Sequence, residues 1–328
     1  MKHILITGGC GFIGARLAKT LISSGNTKIS IIDNLSIGSM KAVKDLCNSK
    51  FNHVSDVAWS NDVSVHEVDI ENIDKFRFLF ADADLVIHLA ANTGVQPSIQ
   101  DPYTDMRSNV IGTLNILEAA RLSERTKQVI FASSGAPLAG QNPPLHENMA
   151  PIPMSPYGAS KLSGEGYCVA YNHCFGLATT VLRFSNVFGP GSISKNSIVA
   201  KAIKHALNRE PIPIFGDGSQ VRDFIFVDDL VEGIISCIDC TATHGEIMQV
   251  SSGVGTTINQ IVSMVEKEFA ARGLPFYGIE YRDFKKGDAL FNVSNNDKIK
   301  MLTNWSPKTP LEIGISKTVE YFVNGDNI

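Results

Sequence analysis

Residues 2–14 read Lys2-His3-Ile4-Leu5-Ile6-Thr7-Gly8-Gly9-Cys10-Gly11-Phe12-Ile13-Gly14. His3–Thr7 is a short apolar strand, and from Phe12 to Ser24 the apolar spacing is helical, with Gly25 ending it. Gly8, Gly11 and Gly14 between them form G-x-x-G-x-x-G. A Cβ at the early glycines would block a tight turn and the close approach of a pyrophosphate. The last glycine lets helix and strand pack closely. Phosphates would lie on the helix N-terminus, where free N–H groups and the dipole favour anions. Lys28–Asp33 is a second strand, and Asp33 ends it 19 residues after Gly14. A carboxylate there accepts hydrogen bonds from the adenosine ribose hydroxyls and repels a 2′-phosphate, so the expected cofactor is NAD rather than NADP. The alternative for Asp33-Asn34 is a turn starter.

Outward from this stretch, strands and helices alternate. Val63–Asp69, Asp84–Ala90, Lys127–Ser134 and Ala178–Phe184 read as further strands. Tyr103–Ser123 reads as a helix with an apolar stripe of Ile111, Leu114, Ile116, Leu117 and Ala120, and Tyr157–Phe175 as another. The fold class expected is α/β, a doubly wound parallel sheet covered on both faces. Its ligand crevice lies at the carboxyl ends of the strands, where Thr7, Asp33, Asp69, Ala90 and Ser134 fall. Asp69 with Ile70 either contacts adenine or starts a turn. After about Asn186, Gly/Pro loops join helical segments at 196–209, 227–240, 257–272 and 310–323, which reads as a smaller, mixed α/β lobe over the crevice. The expected division is an NAD-binding domain over 1–185, rejoined by 223–252, and a substrate lobe from 186–222 and 253–328. Cys47–Asn61 is polar and aperiodic and reads as a loop.

The composition is that of an ordinary globular chain: 328 residues, 44% hydrophobic and 19% charged. A formal net charge of −4 gives no basic footprint for nucleic acid. No signal-peptide layout and no membrane-length apolar run is present. Six scattered cysteines, at positions 10, 47, 168, 174, 237 and 240, suit reduced thiols and a cytoplasmic protein. Cys237-Ile238-Asp239-Cys240 is a C-x-x-C, but it closes an apolar helical pattern and has no companion motif, so a buried helix end is expected and no metal.

Tyr157 and Lys161 lie four apart, one helical turn, on the same face. A free phenol, with a pKa of about 10, is a poor base at neutral pH. A neighbouring ammonium favours the phenolate, and a phenol tuned this way can take a proton from an alcohol.

These residues keep specific company. His88-Leu89-Ala90-Ala91 closes the fourth strand, Phe131-Ala132-Ser133-Ser134 the fifth, and Asn109 sits in Asn109-Val110-Ile111-Gly112-Thr113. Arg183-Phe184-Ser185-Asn186-Val187-Phe188-Gly189-Pro190, Ile214-Phe215-Gly216-Asp217-Gly218-Ser219-Gln220-Val221-Arg222-Asp223-Phe224 and Val227-Asp228-Asp229-Leu230 follow. From Lys2 to about Pro310 the chain resembles the extended short-chain dehydrogenase/reductases, in particular their nucleotide-sugar epimerase and dehydratase group.

The resemblance implies that Tyr157 is the catalytic acid/base. Lys161 would hold the nicotinamide ribose and depress the phenol pKa. Ser134 would hydrogen-bond the reacting sugar hydroxyl, with Ser133 as its rival. NAD contacts are implied for Gly8, Gly11, Phe12, Ile13, Gly14, Asp33, Asn34 and Ser36 near the first two strands. Asp69, Ile70, Leu89, Ala90, Ala91, Asn109 and Ser133 complete that set. Asn186, Asn196, Phe215, Arg222 and Asp288 are implied to bind substrate. Arg222 either grips a phosphate, which suits a guanidinium fork, or pairs locally with Asp223. A homodimer is also implied, pairing helices around 103–122 and 157–175 through Val110, Leu114, Leu117 and Val169, each of which could equally face the sheet.

Within this group, dehydratases and decarboxylases carry an acid beside the catalytic Ser/Thr. Here Gly135-Ala136-Pro137-Leu138 follows Ser134, and the nearest downstream carboxylate is Glu147. That favours a 4-epimerase, with a UDP-hexose (UDP-glucose/galactose or the N-acetyl form) expected as substrate. The loop Gly135–Gly140 departs from the group's usual Val-Tyr-Gly, and Lys285-Lys286-Gly287-Asp288 replaces an Arg-x-Gly-Asp, with Arg282 a substitute for the arginine. Asn292 falls where bulk limits the sugar's 2-substituent. Lys195 is the cation available for a glucuronate carboxylate, which leaves UDP-glucuronate open, as are a dehydratase and a reductase.

Overall fold

The computed structural model describes residues 1–44, 63–284 and 290–324. In chain order the strands are β1 (Lys2–Thr7), β2 (Thr27–Asp33), β3 (Val63–Glu67), β4 (Leu85–His88), β5 (Gln128–Ser134), β6 (Ala178–Phe184) and β7 (Asn186–Phe188), then β8 (Ile212–Phe215), β9 (Val221–Phe226), β10 (Ile247–Val250), β11 (Gly255–Thr257), β12 (Ile279–Arg282) and β13 (Phe291–Asn292). Among the described residues, seven of them form one parallel sheet in the order β10-β6-β5-β4-β1-β2-β3. This is a doubly wound α/β sheet. The order reverses at β1, with β2 and β3 to one side and β4 and β5 to the other, so a crevice opens beyond the ends of β1 and β4.

Parallel central strands are buried on both faces, and their sequences show it. Along β1, Ile4 and Ile6 pack on one face with Leu17, Leu21, Ile31, Ile87 and Leu182. Leu5 points the other way and packs with Ile32, Val86, Ile116, Leu117 and Phe131. A further core gathers Phe188, Ile203, Ile212, Val265, Phe269, Ile315 and Val319. Strand β9 joins the two regions by alternation: Ile225 packs into the sheet core, while Phe224 and Phe226 enter the further core. Arg16 of helix Phe12–Ser23 grips Asp228 of helix Val227–Ser236 with two bonds, 2.5 and 2.7 Å.

The helix expected over Tyr103–Ser123 differs in its middle. Pro102–Met106 is α-helical, Arg107–Ile111 is a π turn, and Gly112–Leu122 is α-helical again. Such one-turn widenings are characteristic of functional positions, and this one carries Asn109. Helices Val95–Gln100 and Asp297–Thr303 were not signalled by apolar periodicity, being only six and seven residues long. The helix before the C-x-x-C ends at Ser236, and Cys237 and Cys240 are free thiols. Cys47–Asn61 lies outside the described residues. Among those described, no helix is long and apolar enough to cross a membrane, and no group of three or more His, Cys, Asp or Glu could hold a metal.

Candidate active site

The glycine turn is tight for a visible reason. Gly8 has φ +70°, and a Cβ there would sit 2.7 Å from the Ala90 nitrogen at the end of β4. A Cβ on Gly14 would sit 2.3 Å from the Gly8 carbonyl oxygen. Gly11 caps helix Phe12–Ser23 with no side chain, so the first-turn N–H groups of Phe12 and Ile13 receive no side-chain acceptor from the cap. Asp33 is buried at the end of β2, its two oxygens accepting the amides of Cys10 and Leu35, each at 2.9 Å. A carboxylate has about four acceptor sites, so capacity remains for ribose hydroxyls. Asn34 donates to Asp69 at 2.8 Å and accepts from Ser36, and Asp69 also accepts the Glu71 amide. Asp69 is therefore a turn residue tied to the β2 end. Ile70 seats against Gly112, where a Cβ would meet it at 2.5 Å. These residues fit an NAD: a glycine cradle, an uncapped helix start and a buried carboxylate at the ribose position.

His88 ties this cradle to the π turn. Its Nδ1 lies 2.6 Å from the Thr7 hydroxyl and its Nε2 3.0 Å from that of Thr113. Thr113 donates its own proton to the Asn109 carbonyl at 2.6 Å, so Nε2 donates and Nδ1 accepts. Burial pushes the His88 pKa down to about 3, with the Lys161 charge adding to it, so the ring is neutral. The Asn109 side chain accepts the Asn92 amide at 2.8 Å and lies within 3.1 Å of the Asn92 carbonyl, Asp105 and Ser160. It thus fastens the segment after Ala90 and Ala91 to helix Pro156–Phe175. Leu89 anchors that segment at its start by donating its amide to Thr7.

Helix Pro156–Phe175 starts at Ser155, whose hydroxyl accepts the Gly158 amide at 3.1 Å. The Tyr157 amide goes instead to the buried Ser98 hydroxyl, at 3.0 Å. Side chains alternate along β5, and this separates the two serines. Ser133 donates to the buried Glu165 at 2.5 Å, whereas Ser134 reaches the Tyr157 phenol. Glu165 holds Arg183 by two bonds, 2.8 and 2.6 Å, in a fully buried pair. Lys161 is 3% exposed and donates to the Ala132 carbonyl at 2.9 Å, with its ammonium 4.9 Å from the Phe131 ring centre. Burial lowers its pKa to about 8.

One expectation is corrected here. Lys161 does not depress the Tyr157 pKa in the protein alone. Burial pushes that phenol up to about 12, opposed by the Ser134 hydrogen bond and reinforced by the Asp105 charge. Desolvation of the fully buried phenol is the largest of these influences.

On the opposite side of the crevice, Arg222 and Asp223 are successive residues of β9, so their side chains leave opposite faces. Asp223 is spent on the amides of Ser252 and Gly253 and the Ser252 hydroxyl, at 2.8–2.9 Å, which argues against a local ion pair with Arg222. Arg222 touches the carbonyls of Val221 and Leu290. Asn186 donates to the Asp223 carbonyl at 3.0 Å. Phe215 ends β8 half-buried, and Asn196 is exposed before helix Ile198–Leu207. Asp288, with Lys285 and Lys286, lies outside the described residues. Asn292 pairs with Arg222 across β13 and β9, and its side chain lies 3.4 Å from where a Gly135 Cβ would be, beside Ser134. Glu147 accepts the Gln249 amide of edge strand β10 at 2.8 Å.

Residues 4–251 match the model of the NAD dependent epimerase/dehydratase family. The chain belongs to that family. It is 33% identical over 325 residues to a UDP-glucuronate 4-epimerase of Thermodesulfobacterium geofontis, covering 98% of this chain and 96% of the relative. The UDP-glucose 4-epimerase of Thermotoga maritima, solved with UDP-glucose, superposes with a TM-score of 0.87 at 33% identity, covering 98% of this chain and 99% of that one. The UDP-glucuronic acid 4-epimerase of Bacillus cereus, solved with UDP-glucuronic acid and NAD, gives 0.87 at 28% identity, with 98% and 99% covered.

Ser98, Asp105, Ser160 and the Glu165–Arg183 pair escaped sequence reading. Small polar residues on helices carry no pattern of their own, and only the packing shows what they hold.

Proposed function

We propose that this protein is an NAD-dependent 4-epimerase of a UDP-hexose, either UDP-glucose/galactose or its N-acetyl form. The observation that carries the reading is Ser134 against Tyr157, with Lys161 one turn on, and a turn of Ala136–Leu138 after Ser134 that contains no acid. NAD, when bound, accepts a hydride from the sugar C4 and returns it. The chain's own groups handle the proton. Ser134 orients the C4 hydroxyl, Tyr157 removes its proton as the carbon is oxidised, and, once the 4-keto sugar has turned over, the same phenol gives the proton back to the C4 oxygen as the opposite face of C4 is reduced. Lys161 holds the nicotinamide ribose. Glu147 accepts the Gln249 amide of edge strand β10, an engagement that supports epimerisation over dehydration.

Arg222, Asn186, Asn196 and Phe215 form the substrate side of this reading, with 186–222 and 253–328 as the substrate lobe. Asn292 at Gly135 sets the room for a 2-substituent. A second reading, UDP-glucuronate, is favoured by Lys195: it is half-buried, its pKa is lowered by burial, and it pairs with no carboxylate among the described residues.

We extend the reading to a cytoplasmic homodimer. Its helix face carries exposed Met106, Ile111, Leu122 and Tyr167. Leu117, expected there, is fully buried against the sheet.

The test incubates the protein separately with UDP-glucose, UDP-N-acetylglucosamine and UDP-glucuronate and resolves the products. A C4 epimer from at least one is expected. A 4-keto product accumulating instead would make the enzyme a dehydratase, and no C4 epimer from any sugar would end the UDP-hexose reading.

A further inference from the structure

Asp105 is a buried acid, 1% exposed, that the mechanism above does not use. It lies one turn before Asn109, whose side-chain amide donates to its Oδ1 at 3.0 Å. The same Asn109 amide reaches the Ser160 hydroxyl at 3.1 Å, and Ser160 stands between Tyr157 and Lys161, donating to the Tyr157 carbonyl at 3.1 Å. The other oxygen, Oδ2, is buried with no hydrogen-bond partner. A carboxylate held this way, without a cation of its own, is expensive unless its field acts on something nearby.

The groups facing the catalytic pair can be taken in turn. Around Lys161 stand His88, Glu165, Cys168 and Asp105. His88 is neutral. The charge of Glu165 is neutralised by Arg183 at two points. The Cys168 thiol is pushed up by burial and stays protonated. Around Tyr157 stand Ser134 and Asp105. Asp105 is therefore the acid facing both members of the pair that has no cationic partner of its own; burial pushes its pKa up, and the Lys161 charge opposes that rise.

We propose that Asp105 is a positioning residue: the buried carboxylate that, held by Asn109 beside Ser160, balances the Lys161 ammonium and restrains ionisation of the Tyr157 phenol. The electrostatics agree in sign at both ends. The Asp105 charge is the first influence opposing the burial that lowers Lys161, and it adds to the burial that raises Tyr157. The inference rests on Tyr157 and Lys161 being the proton-transfer pair.

The experiment compares kcat against pH for the wild-type protein, Asp105→Asn and Tyr157→Phe, on a UDP-sugar that the wild type epimerises. Asn keeps an oxygen toward Asn109 and removes the charge. Without that charge the phenolate forms more easily and the ammonium is harder to keep. Both limbs of the profile then move to lower pH, by about half a unit or more. Asp105→Ala, which also removes the acceptor, shifts the same way and serves if Asp105→Asn does not fold. A lower rate with both limbs in place makes Asp105 a packing residue and overturns the proposal, as does an unchanged profile. A wild type that epimerises nothing, or an active Tyr157→Phe, overturns instead the catalytic reading beneath it, and the role of Asp105 with it.

Discussion

The two sides of the crevice are built differently. On the sheet side, main chain meets main chain: the missing Cβ atoms of Gly8 and Gly14 leave room for Ala90 and for the turn itself, and His88 uses both ring nitrogens in the interior. On the opposite side, Asn186, Phe215 and Arg222 lie half-buried on short strands, and the neighbouring strands expose large side chains, Tyr281 by 56% and Phe291 by 56%. The contrast follows from what each side must do. A cofactor that stays in place rewards a site fixed by backbone geometry, while a sugar that turns over between two faces needs freedom around it.

The sharpest way to break this comparison is Tyr157→Phe, because it removes one oxygen from the rigid side and leaves the packing. The expected loss in kcat is about 10²–10⁴-fold, with NAD affinity unchanged and Tm moved by about 1–2 °C at most. A matching loss of NAD binding would show that the phenol holds the cofactor rather than the proton.

His88 tests how far the rigid side contributes to stability. Its folded pKa, about 3, lies below the 6.5 of the free side chain. The unfolded chain binds the proton more readily, so the stabilisation is complete above pH 6.5 and is lost as pH falls from 6.5 toward 3. The loss is on the order of a few kcal/mol. Denaturant unfolding at pH 7 and pH 4 measures it, and His88→Gln flattens the dependence. An equally steep curve in the variant would place the acid sensitivity elsewhere.

Gly14→Ala comes next. Its Cβ cannot avoid the Gly8 carbonyl without a backbone shift. Overpacking of 1–3 kcal/mol corresponds to about 10–100-fold weaker NAD binding, read by calorimetric titration. Undiminished affinity would mean that the turn can breathe and that the contrast between the two sides is smaller than the contacts indicate.

The same contrast decides what was legible in the sequence. Strand–helix alternation, glycine spacing, Asp33 at a strand end and the Tyr157/Lys161 turn are local patterns, so the doubly wound sheet and the cofactor crevice could be read from them. The choice between Ser133 and Ser134 needed the pleat of β5, which sends one hydroxyl to Glu165 and the other to Tyr157. The behaviour of the phenol was not legible. A neighbouring ammonium in the sequence says nothing of how deeply the phenol is buried, and here burial raises its pKa. Leu117 shows the same limit: an apolar stripe has two flanks, and the pattern does not tell which one the sheet takes.

The smallest expected effect belongs to the open side. Arg222→Lys keeps the charge of β9 and loses the planar fork that can grip two phosphate oxygens at once. Lysine offers a point charge on a flexible stem, so the cost is about 1 kcal/mol, a three- to tenfold rise in KM for the UDP-sugar. kcat and the affinity for NAD stay as they are, since Arg222 lies on β9, outside the seven-stranded sheet. Steady-state kinetics beside an NAD titration separates the two sides directly. A variant that lost NAD affinity in step with KM would show that the sides are coupled through β9, whose residues alternate between the sheet core and the core of Phe224 and Phe226. The division between a fixed cofactor wall and a compliant sugar wall would then have to be redrawn along that strand.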